Sequence, residues 1–199
     1  MALPATEIFD GDSYLNGVGD YPEWTALGGD NIAANTATGC WSNNGISGFS
    51  YWANDTFPDD QYCQLVVKAI GAGSDELGPA VRVGAGAANT GYYVGWNNTN
   101  FKLYKKIAGT NTELGSYTAP VANDVVRIEA SGTTITVKVN GATVGSVTDS
   151  SISSGSGGIG AGGSGGTSNT GKLWEAGELS GGAAPAVGII ARVVRRIAG

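Results

Sequence analysis

The sequence predicts an all-β protein folded as an antiparallel β-sandwich. Short segments rich in Thr, Val and aromatic residues recur at intervals of roughly 8–12 residues, with turn-forming residues between them. The 34 glycines are spread among these segments without a three-residue repeat, so they indicate a turn-rich β protein and exclude a collagen-like one. No segment before Ser180 shows a convincing helical pattern. A sandwich of this length is most simply one domain with a core of its own.

The clearest element is Val125–Asp149, which predicts three short antiparallel strands joined by two tight turns. The first turn is predicted at Ser131-Gly132. The second is predicted at Asn140-Gly141, because a type I′ turn needs positive φ at both central residues. In the middle strand three aliphatic residues alternate with three polar ones, namely Ile135, Val137 and Val139 with Thr134, Thr136 and Lys138. This alternation predicts that one face of the meander is buried and the other is exposed to solvent.

The same alternation and turn signals predict strands along the rest of the body. The Ser/Gly-rich stretch 150–166 contains GGIGAGG, which can form a strand with a minimal side-chain load. The other predicted strands are Thr6–Phe9, Glu23–Leu27, Asn31–Asn35, Thr38–Ser42, Phe49–Ala53, Gln61–Ile70, Gly78–Ala85, Gly91–Trp96, Phe101–Ile107, Thr112–Tyr117 and Lys172–Leu179.

A different composition begins after Ser180, so we divide the chain into a sandwich at 1–180 and a tail at 181–199. Gly181-Gly182 and Pro185 indicate a linker. A helical wheel places the aliphatic residues beyond it on one stripe, opposite three arginines. We expect this stripe to bind protein subunits of a larger assembly, as a helix in a groove or as an added strand. Docking onto its own body, disorder and membrane-surface contact are the alternatives. The predicted contact residues are Val187, Ile189, Ile190, Arg192, Val193, Val194, Arg195, Arg196 and Ile197.

Charge and composition exclude several functions. The first 180 residues carry eight basic and seventeen acidic side chains, a net charge of −9, which disfavours nucleic-acid binding. The absence of histidine removes His-based triads and His metal sites. The N-terminus lacks the features of a secretory signal, and no run of about 18 apolar residues predicts a membrane span. Without a signal, two reduced and buried thiols are preferred over a Cys40–Cys63 disulfide.

The run from Asp60 to Glu175 resembles the concanavalin A-like (LamG-like) jelly-roll domains of phage structural proteins and bacterial extracellular proteins. The segments that carry the resemblance are DTFPDDQYCQLVV, GPAVRV, GYYVGW…FKLYKKIAGT, LGSYTAP, DVVRIEASGTTITVKVNGATVGSVTD, GGIG and LWEAGEL. The opening MALPATEIFDGDSYL…WTAL is similar to the start of such domains, so the resemblance covers about 1–180. It implies a jelly-roll sandwich, a fold shared by lectins, glycosidases and adhesive modules.

The enzymatic branch of that fold is not predicted. Retaining β-glucanases of this fold place three carboxylates on one strand as E-x-D-x-x-E, and the sequence has no such run. Glu129 stands alone on its strand, and Glu175 and Glu178 are three residues apart, which puts them on opposite faces. The sequence therefore predicts no catalytic residues.

Asp10 and Asp12, with Asp20 nearby, are candidates for a structural calcium site, because Ca²⁺ binds carboxylate and loop carbonyl oxygens. The resemblance also implies such an ion near the first strand. A solvated acidic loop is the commoner origin of this pattern, and the sequence leaves both open. No other cofactor is predicted.

A candidate glycan-binding surface lies on the hairpin GYYVGW…FKLYKKI. Its residues are Arg82, Tyr92, Tyr93, Trp96 and Tyr104. Sugar rings stack on flat aromatic rings beside hydrogen-bonding groups, and we expect Arg127, Glu129 and Lys138 on the same sheet face. One side of the Gly91–Trp96 strand must be core, and core packing is the commoner role for both sides.

Two function hypotheses follow. The first, which the resemblance implies, is a non-enzymatic structural protein displayed on the surface of a phage virion, as a capsid decoration or tail-associated protein held by its C-terminal tail. The alternative is a lectin-like module that recognises cell-surface glycans. Both can hold at once, because a displayed lectin-like domain would aid attachment to a host.

Overall fold

The protein is described by a computed structural model over residues 3–28, 32–42, 47–84, 89–163 and 169–179. Within these ranges the chain forms β-strands and no helix, and so no helix that could cross a membrane. The strands are β1 Ala5–Glu7, β2 Ser13–Tyr14, β3 Trp24–Leu27, β4 Ile32–Asn35, β5 Gly39–Ser42, β6 Gly48–Trp52, β7 Gln61–Ala69, β8 Glu76–Val83, β9 Gly91–Trp96, β10 Phe101–Ile107, β11 Thr110–Ser116, β12 Val125–Ser131, β13 Thr134–Val139, β14 Ala142–Thr148, β15 Ser156–Gly162 and β16 Thr170–Glu178.

These strands form two antiparallel sheets packed face to face, as the sequence predicts. In the described residues the nine-stranded sheet has the order β14-β13-β12-β7-β16-β5-β4-β2, with β1 also paired to β16. The seven-stranded sheet has the order β11-β10-β9-β8-β15-β6-β3. The chain crosses repeatedly between the sheets, so neighbouring strands are often distant in sequence.

The inner faces of the two sheets enclose an aromatic core. Trp174 of the nine-stranded sheet packs against both Trp24 and Trp52 of the seven-stranded sheet, with ring centroids 4.7 Å and 5.6 Å away. Its indole N–H donates to the carbonyl of Gly158 at 3.1 Å, so the polar edge of this buried ring is satisfied. The three tryptophans therefore join the sheets at the centre of the sandwich.

The predicted meander is confirmed, with one shift in a turn. Asn140 and Gly141 have φ angles of 50° and 83°, as a type I′ turn requires. The first turn consists of Gly132 and Thr133, one residue later than predicted, because Ser131 is still paired with Thr134. Gly132 then supplies the positive φ of 53° at the first loop position.

The glycine-rich segment GGIGAGG is a central strand, β15, between β8 and β6. Ile159 and Ala161 point into the core. Gly160 faces outward, and a Cβ there would lie 2.6 Å from Cγ of Tyr93. Tyr93 can therefore lie against the backbone of β15 only because that position is glycine.

Cys40 and Cys63 are both buried and unpaired, which confirms the prediction of two free thiols. The Sγ atom of Cys63 donates to the carbonyl of Gly158 at 3.1 Å. Burial raises the pKa of the Cys63 thiol to about 12, so this group is an inert part of the core.

Candidate functional site

The structure places the predicted aromatic hairpin in β9 and β10, but it leaves neither side of β9 open. Tyr92 and Trp96 are fully buried in the core between the sheets. Tyr93 faces the outer side of the seven-stranded sheet and is also fully buried. Tyr92, Tyr93 and Trp96 are therefore core residues and not an open glycan-binding surface, which is the commoner role that the sequence gives to both sides of this strand.

Arg82 is a structural residue that joins loops at one end of the sandwich. Its guanidinium donates to the carbonyls of Asp59, Ile152 and Gly132 at 3.0, 2.9 and 2.8 Å. The side chain is only 2% exposed. Its donors are used inside the protein, so Arg82 does not lie on a face that a sugar can reach.

The cover on Tyr93 is a group of side chains that we call the tyrosine cluster, consisting of Tyr93, Tyr104, Phe49, Glu76 and Lys106. The rings of Tyr93 and Tyr104 are stacked, with centroids 5.1 Å apart and planes 24° from parallel. Phe49 meets Tyr93 edge-on at 5.6 Å. Tyr104 is partly exposed, so it presents an aromatic surface whose position is fixed by the buried rings beneath it.

Polar groups surround Tyr104. Its hydroxyl donates to Oε1 of Glu76 at 3.1 Å. Lys102 forms an ion pair with Glu113 at 2.9 Å, and these side chains are 26% and 47% exposed. Burial raises the pKa of the Glu76 carboxyl above its ordinary value. Tyr104 therefore lies beside several hydrogen-bonding groups.

Lys106 closes the inner end of the tyrosine cluster. Its ammonium is fully buried and donates to Oγ of Ser47 at 2.6 Å. It also lies over the rings of Phe49 and Tyr93, 5.2 Å and 5.3 Å from their centroids. Burial lowers the pKa of Lys106 to about 8, with the charge of Glu76 opposing that shift.

The predicted polar neighbours are on the other sheet. Arg127, Glu129 and Lys138 lie on the outer face of the nine-stranded sheet, so the expectation that they share a face with the aromatic hairpin is wrong. Carboxylate Glu129 accepts from Nε of Arg127 at 2.7 Å and lies 2.8 Å from Nζ of Lys138. Spacing within one strand could not show this, because β12 and β9 fold into different sheets.

Sequence reasoning missed the partners of these residues on β7 and β16. Tyr62 donates to Glu175 at 2.7 Å, and Gln64 donates to the same carboxylate oxygen at 3.3 Å. The guanidinium of Arg127 stacks on the Tyr62 ring at 3.7 Å. We call this group the ionic cluster, made of Tyr62, Gln64, Arg127, Glu129, Lys138 and Glu175. The alternation in QYCQLVV was its available signal, since it puts Tyr62 and Gln64 on one face.

Asp10 and Asp12 line an open pocket of about 540 Å³ together with Asp20 and Thr36. Asp20 already accepts the backbone N–H of Asp12 at 2.8 Å, and Thr36 donates to the carbonyl of Asp10 at 2.9 Å. Within the described ranges no group of three or more Asp, Glu, Cys or His side chains is arranged to hold a metal ion. The calcium prediction is thus not supported by a ligand cluster.

The predicted partner-binding tail, Val187–Ile197, lies outside the described residues. The division of the chain at residue 180 therefore stays a prediction.

No known protein family matches the sequence, and no curated protein sequence matches it. Solved structures do match. The carbohydrate-binding module CBM66 from Bacillus subtilis is 18% identical with a TM-score of 0.55, over 78% of this chain and 92% of that one. The exoplasmic/lumenal domain of VIP36 bound to Ca²⁺ and Man3GlcNAc is 14% identical with a TM-score of 0.56, over 84% and 90%. The transglycosylase Crh5 in complex with NAG is 11% identical with a TM-score of 0.51, over 89% and 88%.

The fold is the predicted concanavalin A-like jelly roll. The identities are too low for the likeness to establish more than the fold, and the same fold occurs here in binding modules and in a transglycosylase. Function has to be argued from the side chains of this chain.

Proposed function

We propose that this protein is a non-enzymatic carbohydrate-binding module whose ligand stacks on Tyr104. The observation that carries the proposal is the partly exposed Tyr104 ring held flat on the buried Tyr93 ring. Carbohydrate-binding structures such as CBM66 and VIP36 share the fold, which supports a glycan as the ligand class.

The cluster supplies what a sugar needs. The apolar face of a pyranose packs against a ring, and a ring whose position is already fixed loses little entropy on binding. Glu76 and the Lys102–Glu113 pair would bind the hydroxyl groups at the edge of the sugar. The Tyr93 ring lies directly on the main chain of β15, because Gly160 has no side chain to separate the two. This close contact keeps the aromatic surface rigid.

The arrangement of carboxylates supports binding without catalysis. Two carboxylates of the nine-stranded sheet, Glu129 and Glu175, are each tied to two donors within the ionic cluster. The sequence lacks the three-carboxylate strand of glucanases with this fold.

The experiment is a glycan array with the full-length protein, followed by calorimetric titration of the strongest glycan. Tyr104→Ala should weaken binding by about tenfold or more, about 1.4 kcal/mol, because the stacking surface is lost. Tyr14→Ala is the matched control, since Tyr14 is 37% exposed on the other sheet. Silence of the folded wild type on the array, or equal affinity of the Tyr104→Ala variant, would overturn the proposal.

Display on a virion surface through the C-terminal tail is a second proposal, and it rests on the sequence alone. The apolar stripe with Arg192, Arg195 and Arg196 supports an intermolecular anchor. Co-sedimentation of the full-length chain and a 1–180 truncation with particles from the source tests it. The full-length chain alone should pellet, and pelleting of both chains would assign the attachment to the sandwich.

A structural calcium ion at Asp10 and Asp12 is also kept as a proposal, supported by the acidic pocket and by the Ca²⁺-bound form of VIP36. Replacing EDTA by Ca²⁺ should raise the midpoint of thermal unfolding by a few degrees, and Asp12→Asn should remove the increase. An equal response of the variant would locate the ion elsewhere, and no response in wild type would refute the site.

A further inference from the structure

The outer face of the nine-stranded sheet carries a cluster of balanced charges on an otherwise acidic protein. Arg127 and Lys138 are directly opposite each other on β12 and β13. One carboxylate, Glu129, lies between them and contacts both. With Glu175 as the second anion of the ionic cluster, two cations and two anions have a formal charge of zero, whereas the first 180 residues carry eight basic and seventeen acidic side chains.

These two cations have more hydrogen-bond donors than the described part of the chain takes up. Of the five N–H donors of a guanidinium, Arg127 uses Nε to Glu129 at 2.7 Å and Nη1 to Gln64 at a long 3.5 Å. Among the residues that the structure describes, the three ammonium donors of Lys138 contact Glu129 alone. The side chains are 13% and 27% exposed, so both cations lie partly at the surface of the sheet.

The guanidinium is held in place before any ligand arrives. It stacks on the ring of Tyr62 at 3.7 Å. That ring is fixed by the hydrogen bond to Glu175 and rests against Gly177, where a Cβ would lie 3.1 Å from Cε1 of Tyr62. A planar donor group with a fixed orientation suits a carboxylate, which it binds through parallel hydrogen bonds.

Hydroxyl groups adjoin the cations. Thr136 is paired with Glu129 in the β12–β13 register, and its Oγ1 lies 3.3 Å from Oγ of Ser146 on β14 in an exposed position. A ligand with one carboxylate and several hydroxyl groups would match both parts of this surface.

We propose that the ionic cluster is a binding site for acidic sugars, that is, for sugars carrying a carboxylate such as uronic acids. The carboxylate is received by Arg127 and Lys138, and the sugar hydroxyls contact Thr136 and Ser146. This site lies on the opposite sheet from Tyr104 and does not rest on the proposed function, so one chain can engage two glycan groups at once.

The test is an NMR titration of the full-length protein with glucuronate, with methyl glucoside and acetate as probes that lack one half of the ligand chemistry. We expect glucuronate to shift the amides of β12 and β13, and to bind at least about fivefold more tightly than either probe. Raising the salt concentration should weaken glucuronate binding, because the contact is ionic.

Two variants report on the role of the cations. Arg127→Lys keeps the charge but loses the planar fork, and should weaken glucuronate binding about tenfold, while Lys138→Gln should weaken it several-fold. Lys172→Gln is the matched control, because this lysine is on the same sheet and donates to Asn123 at 3.0 Å outside the cluster. Unfolding midpoints of all variants are measured alongside.

The outcomes separate the two proposals. Equal binding of acetate and glucuronate, or no loss in folded Arg127→Lys, would overturn the acidic-sugar site. Binding of a neutral glycan from the array without any binding of glucuronate would also overturn it, and would leave the proposed function standing. Binding of glucuronate by a protein that binds no glycan on the array would overturn the proposed function and leave the acidic-sugar site standing.

Discussion

The outer faces of the two sheets use the same support for different surfaces. On the seven-stranded sheet Tyr93 lies against Gly160, and on the nine-stranded sheet Tyr62 lies against Gly177. Tyr93 is covered by the aromatic ring of Tyr104, whereas Tyr62 is covered by the guanidinium of Arg127. The glycine therefore determines where the tyrosine ring lies. The side chain that the neighbouring strand places over that ring determines whether the surface is aromatic or ionic.

The largest expected effect on stability comes from replacing Gly160 and Gly177, the glycines that contact the two tyrosines, with alanine. Gly160→Ala places a Cβ at 2.6–2.8 Å from Cγ, Cβ and Cδ2 of Tyr93, atoms close to the backbone that cannot move away. We expect a loss of about 3 kcal/mol in the free energy of unfolding. Gly177→Ala meets the far end of the Tyr62 ring at 3.1 Å and should cost about 1 kcal/mol or less. Chemical denaturation of both variants measures the difference, and equal losses would contradict it.

A second comparison concerns the lysines, since Lys106 is buried in the tyrosine cluster and Lys138 is partly exposed in the ionic cluster. The pKa of Lys106 falls from an ordinary 10.5 to about 8 in the folded state. Between these pH values the unfolded chain holds a proton that the folded chain has released, so Lys106 makes stability increase with pH by about 1.4 kcal/mol per unit. Below pH 8 both states are protonated, and this contribution is constant and unfavourable.

Lys106→Met should therefore be at least as stable as wild type at pH 7, and its advantage should shrink between pH 8 and 10. Denaturation at each pH gives the difference between the two proteins, which cancels the titration of other groups. Lys138→Met is the control for replacing a lysine on a strand of the other sheet. A constant difference between Lys106→Met and wild type would show that Lys106 is not buried as described.

The smallest effect distinguishes Glu129 and Glu113, two of the carboxylates that form ion pairs with lysine. Glu129→Gln leaves Arg127 and Lys138 opposite each other without a shared anion. It should lower the free energy of unfolding by about 1–2 kcal/mol, and the loss should be smaller at high salt because salt screens the two like charges. Glu113→Gln breaks the exposed pair with Lys102, with side chains 47% and 26% exposed, and should change stability by only a few tenths of a kcal/mol. Equal losses in denaturation experiments would mean that the ionic cluster is no more than a pair of surface ion pairs.

The alternation of apolar and polar residues, together with the turn residues, predicted most of the strands. β9 and β10 have the predicted bounds, and the Asn140-Gly141 turn has the predicted geometry, because alternation and turn chemistry act over a few neighbouring residues. The two-residue strand β2 was missed, since Ser13 and Tyr14 carry no alternation.

The candidate sites were only partly predictable. Tyr104 was named and lies where a ligand can reach it, whereas Arg82 was named for its charge and is buried among loop carbonyls. Nothing local to Arg82 reveals those acceptors, because they come from residues 23 to 70 positions away in the chain.

The sequence by itself determined an all-β sandwich, the strands of its meander and hairpin, and the absence of histidine chemistry, since each depends on composition or short-range pattern. Only the tertiary structure decided which faces are covered. Tyr93 and Trp96 point to opposite sides of one strand, and both are buried because β9 is an inner strand of its sheet with other side chains packed over each side. Tyr62 and Arg127 meet although 65 positions separate them, because β7 and β12 are paired across the sheet. Burial and pairing of this kind depend on contacts between distant segments, and no local pattern encodes them.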